Sequence, residues 1–152
     1  MKGESPRRGC DSRDNEGVRK TTLSVLEQAG AELSGWTCPS TAECCHFERT
    51  GREPSVTAAE WELLEREIAR QGRKWTSLRG DGACPFLSSD DRCLVYSVRP
   101  LGCRTFYCRL ASGPHPIPRF TSVIRKLEDR SGHGARGRPL RSWVRSKAKS
   151  GR

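Results

Sequence analysis

The chain has 152 residues, 34% of them hydrophobic and 30% charged, so it can bury one modest core. Its net charge of +10 is uneven: residues 130–152 carry eight Lys or Arg and no acid, while residues 1–129 hold 20 basic and 18 acidic residues. This asymmetry argues against a strongly basic folded domain, and no segment is apolar and long enough to span a membrane.

Eight cysteines are the other outstanding feature of the composition. The first residues, Met1-Lys2-Gly3-Glu4-Ser5-Pro6-Arg7-Arg8, carry charge with no apolar run behind it, which predicts no secretory signal. A cytoplasmic location follows as the expectation. Thiols stay reduced there, and clustered cysteines then favour metal over disulfides.

In chain order, residues 1–17 read as a disordered leader in which Cys10 stands alone as a bystander thiol. Val18, Thr22, Val25, Leu26, Ala29 and Leu33 recur at three- and four-residue steps, predicting a helix over 18–33 that Gly35 stops. Residues 36–54 form an irregular loop with Cys38, Cys44 and Cys45. Thr57-Ala58-Ala59-Glu60 then matches a capping box, in which hydroxyl and carboxylate satisfy two free backbone donors at a helix start. Trp61, Leu63, Leu64 and Ile68 supply its apolar face, Glu62 and Arg66 an i,i+4 ion pair, and Gly72 its end. Leu87, the Ser88-Ser89-Asp90-Asp91 turn and residues 93–98 predict a short hairpin that Arg99-Pro100 interrupts. A Pro-rich loop at 113–118 precedes a last amphipathic helix ending at Asp129, with Phe120, Val123, Ile124 and Leu127 on one face. Residues 130–152 read as a basic, disordered tail.

The cysteines fall into two groups: Cys38, Cys44 and Cys45 upstream, and Cys84, Cys93, Cys103 and Cys108 downstream. Thiolates are the soft ligands of zinc and of iron–sulfur clusters, so the groups are expected to meet around such a centre. None has the C-x2-C spacing of common zinc fingers. Adjacent Cys44 and Cys45 point apart, which suits two metals, or one ligand with one packed thiol. Seven cysteines with His46 would make eight ligands, enough for two zinc sites; one four-cysteine cluster would leave three thiols over. Any single cysteine can instead be a small buried hydrophobe, and His46 alone reads more readily as a surface or packing residue. Arg99 and Arg104 either offset thiolate charge or fix the turn between them.

Cys84-Pro85-Phe86-Leu87, Arg92-Cys93 with Tyr96, and Arg99-Pro100-Leu101-Gly102-Cys103-Arg104-Thr105-Phe106 resemble the YkgJ-type cysteine-cluster family, labelled as zinc- or iron-chelating and often as iron–sulfur. The resemblance covers about residues 36–110. The family's C-x2-C-x2-C-C element aligns with Cys38, Thr41, Cys44 and Cys45, so Thr41 occupies the place of one thiolate. Three expectations stand open: weaker metal binding, His46 or Cys108 in place of the missing thiolate, or a changed site. The expected metal site is Cys38, Cys44, Cys45, Cys84, Cys93, Cys103 and the additional Cys108.

The expected fold is one small metal-stabilised α+β domain, mostly α with irregular cysteine-rich loops and a short hairpin. It spans 18–129, with its cysteine-cluster core at 36–110. The expected function is chelation of zinc or an iron–sulfur cluster in a structural or redox role. Some relatives look like flagellin lysine-N-methylases, which makes a cluster-dependent redox or methyltransferase-associated enzyme the alternative. No Gly-rich cofactor loop and no acid–base or nucleophile set accompanies the cysteines, so no intrinsic catalysis is visible. Weak, nonspecific nucleic-acid binding through 130–152 is a further expectation.

Overall fold

A computed structural model describes residues 12–32, 41–74, 77–105 and 136–150. The expectations for Cys10, Cys38, Cys108, the Pro-rich loop and the helix ending at Asp129 lie outside them. The architecture is α+β: mostly helical, with one short antiparallel strand pair and irregular cysteine-bearing loops.

Helix α1 (Ser12–Glu32) starts six residues before the apolar stripe and includes the end of the expected leader. The stripe does what its spacing demands: Thr22, Val25, Leu26 and Ala29 are buried. Thr22 satisfies its buried hydroxyl by donating to Val18 O at 2.7 Å. A 3-10 turn (Glu43–Cys45), a one-turn helix α2 (Phe47–Thr50) and strand β1 (Ser55–Val56) lead to helix α3 (Ala58–Arg70).

α3 is the centre of the fold because it buries two faces. Leu63 joins Val25, Leu26 and Ala29 of α1 in one apolar cluster. Trp61, Leu64 and Ile68 enter a second, larger cluster with Phe47, Phe86, Leu87 and Val95. The capping box at Thr57 and Glu60 is formed, and Gly72, at φ 67, turns the chain away in a left-handed conformation suited to glycine. Glu62 and Arg66 make the expected ion pair at 3.0 Å. The expected hairpin is present as one antiparallel bridge, Leu87 to Cys93, after which the chain enters a 3-10 turn (Tyr96–Val98) and helix α4 (Leu101–Arg104). α4 packs against α1 and β1.

The structure departs most from the sequence expectation at the basic tail. Residues 138–150 form strand β2 (Arg138–Pro139) and helix α5 (Leu140–Ser150). β2 pairs antiparallel with β1, Val56 facing Arg138 and Ser55 facing Pro139. Leu140 and Val144 are buried in the larger core cluster. Trp143 stacks on Trp61, centroids 5.7 Å apart at 15°, and its indole N–H donates to Val56 O at 2.9 Å. Arg141 pairs with Glu53 and Glu48, each at 2.9 Å, and Lys147 with Glu65 at 2.7 Å. The folded unit therefore extends to Ser150, and several of the tail's cations are engaged within it. The reason is the apolar triplet Leu140, Trp143 and Val144, whose i, i+3, i+4 spacing gives a mostly charged helix one face that water disfavours.

Trp143→Ala should accordingly lower the unfolding free energy by about 2–4 kcal/mol, read from urea denaturation. An unchanged midpoint would mean that α5 adds nothing to the core.

Candidate metal centre

The cysteine loops are built from backbone geometry before any metal enters the argument. Ala42 takes a left-handed conformation, φ 56, which costs an L-residue about 1 kcal/mol and folds the chain into the turn carrying Cys44 and Cys45. Cys84 N donates to Cys45 O at 2.7 Å, so one backbone hydrogen bond joins the upstream and downstream groups. Asp91, also left-handed, closes the turn between Leu87 and Cys93, with Asp91 N donating to Ser88 O at 3.2 Å and Ser88 N to Arg92 O at 2.9 Å. Gln71 Nε2, at the end of α3, donates to Leu94 O at 2.7 Å and anchors the same loop.

Cys103 is delivered by α4, whose position depends on two features. Glu60 is fully buried; its Oε2 accepts from Thr57 N and Thr57 Oγ1 at 2.9 Å each, and its Oε1 accepts from Leu101 N at 2.8 Å. Gly102 lets α4 approach β1, since a Cβ there would stand 2.9 Å from Pro54 Cβ. The turn preceding α4 is held by Arg104, which donates from Nε to Arg99 O at 2.9 Å and from Nη2 to Ser97 O at 3.0 Å.

Cys44, Cys45, Cys84, Cys93 and Cys103 are free thiols lining one cavity of about 520 Å³. Phe47, Phe86, Val95 and Leu140 make its walls apolar, and the exposed Asp90, Asp91, Arg92 and Tyr96 belong to its outer edge. Leu140 contributes from α5, a wall residue that sequence reasoning missed. Thr41 is exposed, and neither it nor His46 lines this cavity. His46 instead directs Nε2 towards Asp91, 3.6 Å from its Oδ1.

The thiols share protons unequally. Cys45 is hydrogen-bonded to Cys44, Cys84 and Cys93, and these contacts together with burial hold its proton firmly. The hydrogen bond from Cys45 brings Cys44 down to about 7, with Arg99 assisting, and lowers Cys93 as well. Burial pushes Cys103 well up. Arg99 lines the cavity with its Nε buried and without a hydrogen-bond partner. The two arginines thus differ in place: Arg104 fixes the turn, and Arg99 lines the cavity that the thiols share.

Among the described residues, no three Cys, His, Asp or Glu side chains already form a metal shell, although five thiols line the one cavity. The donor chemistry nonetheless suits a soft metal, with several thiols on short loops in an apolar pocket beside an unpaired N–H.

A family model described as a "putative zinc- or iron-chelating domain", CxxCxxCC, matches residues 37–120. The chain belongs to the CxxCxxCC family. That span includes all five described cysteines of the cavity, together with Cys38 and Cys108. No curated protein and no solved structure matches the chain. Membership of the CxxCxxCC family supports metal chelation, of zinc or of iron.

Glu60→Gln should remove the pH dependence that this buried carboxyl gives to stability, because the amide is close to it in shape and does not titrate. Burial holds the Glu60 carboxyl above its ordinary range, against the pull of its hydrogen bonds. The folded chain therefore binds this proton more tightly than the unfolded chain does. The resulting stability is complete below the unfolded value, about 4.3, and is lost as pH rises towards the folded value. Wild type should therefore lose stability relative to Glu60→Gln on going from pH 4 to 7 in paired denaturation curves; a wild type that gains on the variant over this range would contradict this.

Proposed function

We propose that this chain holds zinc or an iron–sulfur cluster through Cys44, Cys45, Cys84, Cys93 and Cys103, with Cys38 and Cys108 in the same ligand set. The observation that carries the reading is the single cavity lined by five thiols from three separate chain segments. Family membership points the same way. Five thiols exceed one tetrahedral zinc site, so the set accommodates a four-thiolate centre with thiols to spare, or more than one ion.

The bound group would supply cross-links between loops that otherwise hold by few contacts. The chain's own residues do the rest. Cys44 gives up its proton near neutrality and is the first thiolate on offer. Cys45 and Cys103 retain theirs until a metal displaces them, so loading releases protons and stabilises the fold. Phe47, Phe86, Val95 and Leu140 limit water at the sulfurs. The role is structural or redox, in a reducing cytoplasm where thiols remain free. The cations of 130–152 make a weaker functional element, because Arg141 and Lys147 are paired with acids and Arg138 lies 3.7 Å above the Trp143 ring.

Elemental analysis and a visible absorption spectrum of protein purified without oxygen test the reading. Iron with sulfide and a brown chromophore identifies a cluster and favours the redox role. Zinc without colour identifies a structural or chelating site. Protein that takes up neither metal overturns the proposal and turns attention to Thr41 at the position of the family's second thiolate.

The ligand assignment has its own test. Cys93→Ser and Cys103→Ser should each lower metal content per chain and the unfolding temperature, compared by elemental analysis and calorimetry. Full metal and full stability in both variants would remove these residues from the ligand set.

A further inference from the structure

Arg99 occupies an energetically poor position in the metal-free chain. Its Nε is buried and has no hydrogen-bond partner. A buried N–H left unpaired is destabilising, and more so on a charged group. The side chain is nevertheless held in place. Pro100 follows it, Arg99 O accepts from Arg104 Nε at 2.9 Å, and its guanidinium carbon lies 4.1 Å from the centroid of the Tyr96 ring. Tyr96, itself 52% exposed, thus gives the guanidinium a cation–π partner at the edge of the cavity.

The surroundings narrow what the free N–H can meet. Arg99 shares its cavity with five thiols. The two carboxylates of that cavity have other partners: Asp91 faces His46 at 3.6 Å, and Asp90 faces Arg92 at 3.4 Å. Among the described residues, no carboxylate is ion-paired with Arg99. Its charge acts instead on Cys44, Cys93 and Cys103.

We propose that Arg99 is a positioning residue that donates its Nε–H to a sulfur of the bound metal centre, offsetting the excess negative charge of several thiolates. The acceptor is a metal-bound cysteine thiolate or, in an iron–sulfur cluster, an inorganic sulfide. Four thiolates around one divalent ion leave a net charge of about −2, and one guanidinium in an apolar pocket compensates part of it. The N–H left unpaired in the metal-free chain then gains its partner on loading, so its cost disappears in the holo protein. This inference rests on the chelation reading and specifies which residue outside the ligand set governs its affinity.

The test compares full-length wild type, Arg99→Met and Arg99→Lys. Zn²⁺ affinity is measured by competition with a chromophoric chelator, and unfolding midpoints are measured on the metal-free proteins. Arg99→Met should bind Zn²⁺ about 10–100-fold more weakly, the range typical of lost outer-shell partners, while its metal-free midpoint stays at or above wild type. Arg99→Lys keeps the charge and loses the Nε–H; it should fold as wild type and fall between, about 3–10-fold weaker. If the centre is iron–sulfur, removing the positive charge in Arg99→Met should also move its reduction potential to a more negative value, and a loss confined to cluster-loaded protein assigns the acceptor to sulfide. Wild-type Zn²⁺ affinity in both variants, together with an unchanged reduction potential in any cluster-loaded protein, overturns the proposal. So does a loss of affinity that only tracks lost stability of the metal-free form, since that is the mark of a structural arginine. Wild-type protein that binds neither metal would sink the chelation reading itself, a different result from equal binding by wild type and variants.

Discussion

The buried carboxylate of Glu60 connects the scaffold to the cysteine site. One oxygen completes the N-terminus of α3 through Thr57, and the other accepts the first backbone N–H of α4 at Leu101. A carboxylate so far from water is tolerated only because three donors surround it. Through it, the start of the central helix and the short helix that carries Cys103 are held to one geometry. Gly102 completes the arrangement by letting α4 lie against β1.

Around that junction the site is assembled from loops, and loops hold by what they pack on. The Cys44–Cys45 turn joins Cys84 by a backbone hydrogen bond, while Gln71 ties the Cys93 loop to the end of α3. The far end of the described chain closes the structure. β2 pairs with β1, Trp143 stacks on Trp61, and Leu140 forms part of the cavity wall. The thiol cavity and the hydrophobic core therefore share Phe47, Phe86, Val95 and Leu140. Metal loading and folding stability should be coupled because the same side chains serve both.

Some of this was legible because its signal is local. The capping box needs only Thr57 and Glu60 three residues apart, and an apolar face of α3 follows from the spacing of Trp61, Leu64 and Ile68, whereas the placing of Leu63 in a second cluster against α1 came only from the fold. The α1 stripe was likewise visible, although the helix begins earlier, because a helix can extend beyond its buried face. The role of α5 was obscured by its charge: eight cations in 23 residues suggested solvated disorder, while Leu140, Trp143 and Val144 were enough to bind the helix to the core. The hairpin contracted to one bridge because Asp91 turns left-handed and the chain winds into a 3-10 turn at Tyr96, before Arg99-Pro100.

The sequence by itself determined the chemistry available: cysteines in two groups, spaced as a thiol-rich soft-metal site, around a capped amphipathic helix. Residue type and short spacing carry that information without reference to the rest of the chain. Only the tertiary structure decided which thiols share a cavity, that His46 turns towards Asp91, that Glu60 reaches Leu101 and that Arg99, lining that cavity, is left with a buried, unpaired N–H. Those relations join residues far apart in the chain, 41 positions in the case of Glu60 and Leu101. They are set by the packing of α1, α3, α4 and α5 together, which no local spacing encodes.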